Sequence, residues 1–249
     1  LKQAVKPFKK TRILASVLQS PTGTSEMEIV LLYLNVLFLL PQIAQVYIYN
    51  QVKAYQKEAQ KLLDLLGEME VAISLLRHKR DLEVVCQPVF TETGGIEGET
   101  LYHPLLSNPI ANDVHFQKNM VISGDNASGK STYLKTVAIN AILAQGLGFA
   151  YGERLALPYG HVLTAMDVSD DIEVGDSYFI TESKAILRMI QDLKKPGFHY
   201  FFIDELFKGT NTIERIGSGL GIVRWLAAQN CLYMISSHDI ELVAASGEV

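Results

Sequence analysis

Between residues 25 and 80, apolar side chains return every three or four positions. In "YQKEAQKLLDLLGEMEVAISLLRHKRD" the residues Leu62, Leu65, Leu66, Met69, Ile73 and Leu76 keep this rhythm with charges between them, the pattern of an amphipathic helix. The stretch predicts two or three long helices joined near Pro41 and Gly67, suited to a lever, a spacer or part of a bundle. Its most apolar part, "IVLLYLNVLFLLP" at residues 29–41, is interrupted by Asn35 and ends at a proline. It falls short of the roughly 20 apolar residues a bilayer span needs, so a buried helix is the expectation and no membrane association is predicted.

The rhythm changes near residue 83. "EVVCQPVF" reads as a short strand and "TETGGIEGET" as a glycine-rich turn region. Strand and helix signals then alternate. Strands are predicted at 119–123, 161–168, 198–204 and 231–236, with helices at 130–145, 177–193 and 213–228. Near-continuous apolar strands separated by helices predict an α/β domain with a mostly parallel sheet. The boundary with the helical region is expected between residues 80 and 100.

Charge separates the same two regions. Residues 1–80 carry 11 Lys and Arg against 6 Asp and Glu, and residues 81–249 carry 11 against 21. A modestly basic first part could meet a polyanion or could be a solvated helix face. The two cysteines, Cys86 and Cys231, have no CxxC partner, and the N-terminus has no secretory signal. A reduced, cytoplasmic protein is expected. The chain begins without Met, which reads as a fragment of a longer protein.

Candidate chemistry sharpens the α/β reading. "GDNASGKST" at residues 124–132 fits G-x-x-x-x-G-K-[ST] between a predicted strand and a predicted helix. Gly124 and Gly129 let the backbone N–H groups of Asp125, Asn126, Ala127 and Ser128 curl around an anion, and the helix N-terminus adds its dipole. Lys130 is expected on the β- and γ-phosphates, Ser131 on Mg²⁺ and Thr132 close to the phosphates, so ATP with Mg²⁺ is the predicted ligand. The apolar run "HYFFI" ends in Asp204 and Glu205. Asp204 is placed to hold the metal and Glu205 to orient or deprotonate the attacking water. His238, after the strand "CLYMIS", either senses the γ-phosphate or is a capping or core histidine.

Six ordered motifs over about 145 residues resemble the ATPase domain of the MutS family of DNA mismatch-repair proteins: "LYHPLL", "IANDV", "ISGDNASGKSTYLKTVA", "SDDIEVGDSYFITE", "DELFKGTNTIE" and "SSHDIEL". The resemblance implies a P-loop fold of the ABC-type ATPase kind at residues 83–249, preceded by part of a helical lever at residues 1–82. It implies ATP hydrolysis by a homodimer, with Ser177 reaching the γ-phosphate of the other subunit and the loop "GTNTIE" near the subunit contact. It also implies double-stranded DNA as a partner, through the helical region or through parts of the family's architecture missing here, among them its C-terminal dimerisation segment. Asp125, Ala127, Ser128, Tyr178, Phe207 and Lys208 depart from the family pattern and suggest a divergent branch. The family's mismatch wedge is Phe-x-Glu; the string at Phe90 to Glu92 lies beside the ATPase motifs and is read as a chance match. The functions implied are an ATP-driven enzyme of mismatch repair or a related DNA transaction, or a MutS-like ATPase moving a partner protein or a non-mismatch DNA structure. A transporter-type subunit does not fit, because no "LSGGQ"-like segment is present.

Overall fold

The computed structural model describes residues 26–125, 128–166 and 178–246. It divides into two compact units at Asp81 and Leu82. Ser177, Asn126 and Ala127 lie outside the described residues.

The first unit is helical: α1 (Glu26–Leu37), α2 (Leu40–Ala54) and α3 (Gln56–Arg80). The first break falls at Phe38 and Leu39, where Leu39 takes a left-handed φ of 50°. Pro41 sits in the first turn of α2, where the missing N–H is not needed. The second break is at Tyr55, not at Gly67. Gly67 lies inside α3 with open space where a Cβ would be. A helical glycine costs only about 1 kcal/mol, which the flanking strong helix formers outweigh. Arg77, His78, Lys79 and Arg80 occupy the last turn of α3, where cations suit the helix dipole. Packing within this unit is thin: α3 buries no residue, and Ala44 is the one fully buried apolar residue among those described. No described helix is long and apolar enough to cross a membrane.

The second unit carries two four-stranded sheets. One is mixed, in the order β1 (Val89–Thr91), β5 (Arg154–Pro158), β2 (Ile96–Leu101), β3 (Asn112–Phe116). The other is wholly parallel, in the order β4 (Met120–Ile122), β8 (Cys231–Ser236), β7 (Phe198–Asp204), β6 (Gly160–Ala165). The mixed sheet departs from the sequence expectation. Much of the supposed turn region "TETGGIEGET" is strand β2, whose Ile96, Gly98 and Leu101 are buried. Gly95 is there because a Cβ would stand 1.8 Å from the Phe116 carbonyl oxygen, a closeness only glycine permits. "EVVCQPVF" in turn makes one bridge, Cys86 to Ala150, before β1 begins.

The helix α4 (Lys130–Leu147) lies between the sheets. Its Leu134, Val137, Ala138 and Ala141 share one core with Phe116 and Leu155 of the mixed sheet and with Tyr200, Phe202 and Met234 of the parallel sheet. The alternate residues Phe201, Ile203, Tyr233 and Ile235 point the other way. They pack on α5 (Tyr178–Asp192), α6 (Thr212–Ala227) and α7 (Ile240–Ser246). β7 is therefore buried on both faces, which explains why it reads as a continuous apolar run. Truncating Phe202 to Ala removes a side chain with 0% exposure, a loss of about 3–5 kcal/mol. Both cysteines are free thiols, and burial pushes Cys231 up to about 11.

Candidate nucleotide site

The strand order decides what meets at the carboxyl edge of the parallel sheet. β4, which feeds the glycine loop, and β7, which ends in Asp204, do not touch, because β8 runs between them. Ser237 N–H after β8 donates to the Ile122 carbonyl at the end of β4. Glu205 N–H after β7 meets Ser236 O and Ser236 Oγ, each at 3.2 Å. The three strand ends are thus pinned side by side.

At the loop, Gly129 takes a φ of 93° as it enters α4, a conformation that strains any residue with a Cβ. Lys130 is buried, and its Nζ donates to the carbonyl oxygens of Gly124 at 2.6 Å and Asp125 at 2.8 Å. Ser131 Oγ donates to Asp204 Oδ1 at 2.7 Å across 73 residues of sequence. Ser236 Oγ donates to the same oxygen at 2.5 Å. Burial raises the pKa of Asp204, but the hydroxyls of Ser236 and Ser131 outweigh it and hold the carboxyl below its ordinary range. Asp204 is therefore a carboxylate at neutral pH with the Ser131 hydroxyl already beside it.

Glu205 follows with a left-handed φ of 62°, and Phe207 has 56°. Two non-glycine residues in that region within three positions carry strain of about 1–2 kcal/mol each. The strained turn aims the Glu205 carboxylate between two bases. His238 Nε2 lies 3.0 Å from Oε1 and Lys208 Nζ lies 3.5 Å from Oε2. Phe207 is buried and its ring centroid is 5.6 Å from that of Phe179 on α5, so this departure from the family pattern plugs the core.

Glu182 of α5 holds the next loop. It is 5% exposed and accepts the N–H groups of Lys208 at 3.0 Å and Gly209 at 3.3 Å. Burial raises its pKa despite these bonds. The loop then enters α6 through a cap in which Asn211 accepts from Glu214 N–H at 3.0 Å and Thr210 Oγ1 donates to Glu214 at 2.6 Å. Arg215 clamps Asp239, beside His238, with two bonds of 2.8 Å.

A cleft of about 700 Å³ opens on the loop, lined by Ser128, Gly129, Lys130 and Thr132 and walled by His103, Leu106, Ile110, Asn112 and Tyr133. The segments "LYHPLL" and "IANDV" thus share the cleft of the glycine motif. The structure brings together Gly124, Asp125, Ser128, Gly129, Lys130, Ser131, Thr132, Asp204, Glu205 and His238. Sequence reasoning quoted Ser236 and Glu182 within "SSHDIEL" and "SDDIEVGDSYFITE" but gave neither a role. The polar pair "SS" closing a buried strand marks the first, and the second closes its motif.

Known proteins resemble this chain over the same region. The model for MutS domain V matches residues 120–249, which contain the glycine loop, the acidic pair and His238. The chain is 31% identical over 191 residues to MutS protein homolog 4 of Homo sapiens, covering 73% of this chain and 20% of that protein. It is 30% identical over 191 residues to MutS protein homolog 4 of Mus musculus, covering 73% of this chain and 19% of that protein. The chain thus spans about a fifth of the length of these curated relatives. A carboxyl edge of this make-up within a domain matched over more than half of the chain identifies it as a divergent member of the MutS family.

Proposed function

We propose that this chain is the ATP-hydrolysing part of a MutS-family protein, with a P-loop fold of the ABC-type ATPase kind, acting as a homodimer in mismatch repair or a related DNA transaction. The observation that carries the reading is the 2.7 Å bond between Ser131 and Asp204, which sets a hydroxyl and a depressed carboxylate side by side at the mouth of the glycine loop. These two oxygens are the donors an Mg²⁺ ion takes from protein when it also binds phosphate. The ion, when bound with ATP, supplies positive charge against the β- and γ-phosphates. Lys130 exchanges its two carbonyl partners for phosphate oxygens. Glu205 orients a water and accepts its proton, and His238 and Lys208 hold the carboxylate in place. Ile213, 85% exposed beside the "GTN" turn, is an apolar side chain suited to a subunit contact.

Mg²⁺-dependent ATP hydrolysis by the wild type and its loss in Lys130→Ala, with the fold kept, test the core of the reading. No turnover in the full-length wild type, with or without DNA, sinks it. The in-trans role of Ser177 requires that Ser177→Ala lower turnover only where dimers form; unchanged dimer turnover removes it.

A second reading, an ATPase acting on a partner protein or on a non-mismatch DNA structure, is favoured by the departures from the family pattern around the site, Asp125, Phe207 and Lys208 among them. Phe90 of the Phe-x-Glu string is stacked on Tyr159 at 3.9 Å between ring centroids, in keeping with a chance match. Titrating the full-length protein with matched and mismatched duplexes over a range of salt decides between them. Equal affinities with a steep salt slope support the second reading on DNA backbone, and a mismatch preference supports the first.

A further inference from the structure

The opposite, amino edge of the parallel sheet holds a separate cluster. β6 and β7 pair in register at His161 and His199, each the second residue of its strand. Parallel neighbours in register project side by side, and the two rings stack with centroids 4.7 Å apart and planes 12° apart. α5 ends above them at Asp192, whose side chain is 9% exposed. One carboxylate oxygen, Oδ1, is taken by Lys195. The other, Oδ2, is buried without a hydrogen-bond partner, 3.3 Å from His161 Nδ1 and 3.5 Å from His199 Nε2.

The ring of His161 makes this arrangement informative. Its Nε2 faces the Pro196 carbonyl at 3.3 Å, a partner that can only accept. A neutral ring donating there leaves Nδ1 unprotonated and 3.3 Å from the bare Oδ2, near it but not aimed at it. A buried carboxylate oxygen without a donor, beside an unprotonated ring nitrogen, calls for a positive charge near both. A side-chain nitrogen that faces an anchoring carbonyl through its other ring N–H is also how metal-binding histidines are held. Metal–ligand bonds of about 2.0–2.1 Å in tetrahedral array put neighbouring ligand atoms roughly 3.3–3.4 Å apart. Asp192 Oδ2 and His199 Nε2 already stand near that, 3.5 Å apart. The end of α5 adds the negative pole of a helix.

We propose that His161, Asp192 and His199 form a binding site for a divalent transition ion of the Zn²⁺ class. Two imidazoles and a carboxylate suit Zn²⁺ or Co²⁺, whereas Mg²⁺ seeks oxygen ligands alone. At His199 the ion replaces the ring proton now shared with the Asp192 carbonyl oxygen at 2.9 Å. An ion must lie near the plane of each ring, so the half-exposed His161 turns out of the stack to complete the site. The bound ion ties the start of two strands to the end of the helix that crosses between them. The site is independent of the proposed nucleotide chemistry.

The test uses the whole chain, freed of metal with a chelator, without nucleotide and in excess Mg²⁺. Titration with Co²⁺ is followed by visible absorption and with Zn²⁺ by calorimetry. One ion per chain, a tetrahedral Co²⁺ spectrum and a raised Tm are expected. His161→Ala, a change at the half-exposed member, should keep the circular dichroism spectrum and weaken binding by at least about tenfold. His115→Ala, which removes an exposed histidine paired with Glu97 elsewhere, should bind as wild type. Absence of one-to-one binding, or equal affinity in His161→Ala, overturns the site.

Discussion

The two edges of the parallel sheet are built from the same strands and differ in how they settle their charges. At the carboxyl edge, Asp204 is half-buried and accepts two hydroxyls, and Glu205 stands between His238 and Lys208. At the amino edge, Asp192 is more deeply buried yet leaves one oxygen without a partner. The first edge is preorganised: its polar groups already hold one another where a charged ligand needs them, and strain at Glu205 and Phe207 is concentrated there. The second has its strain in an unmet electrostatic demand. Burial alone therefore does not mark a site; what matters is whether a buried carboxylate has its hydrogen bonds.

The contrast can be broken most severely at Glu205. Glu205→Gln should lower ATP turnover by about 10²–10⁴-fold, the range of a lost general base, while ATP binding measured at equilibrium stays. Next, Ser236→Ala takes a hydroxyl from Asp204. A hydrogen bond to a charged group contributes about 1.5–3 kcal/mol, so the Mg²⁺ concentration for half-maximal turnover should rise roughly 10- to 100-fold. Toward the other edge, Tyr200→Phe leaves the Pro158 carbonyl, now 3.0 Å from the buried hydroxyl, without its donor. Urea unfolding should show a loss of about 1–3 kcal/mol with turnover per folded molecule unchanged.

A smaller effect sits in Glu182. Burial raises its folded pKa above the unfolded value, so the folded state holds a proton that the unfolded state has released. Its contribution is full below the ordinary carboxyl range and is lost as pH rises through the raised value. The stability of wild type relative to Glu182→Gln, from urea melts across mildly acidic to neutral pH, should decline in that direction. Least of all, His161→Ala should leave steady-state turnover within about twofold, since it touches only the amino edge. A large loss of turnover there would join the two edges functionally and end the contrast drawn here.

The two edges were also unequally legible. Lys130, Ser131, Asp204 and Glu205 stand in short contiguous motifs because the proposed phosphate cradle would need consecutive N–H groups and the proposed metal ligand would follow a buried strand. Ser236 and Glu182 stand inside quoted motifs, but their roles, donating to Asp204 and accepting the Lys208 and Gly209 N–H groups, rest on tertiary contacts that no local pattern states. His161, Asp192 and His199 meet only through strand register and the length of α5. β2 was hidden because Gly95 and Gly98, signals of a turn, are there for close approach of neighbouring atoms: the Phe116 carbonyl at Gly95 and the Leu101 side chain at Gly98. Gly67 misled in the opposite sense, since its helix continues through it.

The place of β8 has a consequence for how the molecule is made. β4 pairs with β8 and with no other described strand, and β8 is the last described strand. A ribosome therefore releases the glycine loop more than 100 residues before the neighbour that anchors it. A nascent chain that has not yet exposed Cys231 to Ser236 has Asp204 and Lys130 but lacks the strand that sets β4 and β7 two strand spacings apart, roughly 9.6 Å. On the proposed function, the nucleotide site is thus completed late in synthesis, and a chain released before β8 lacks it.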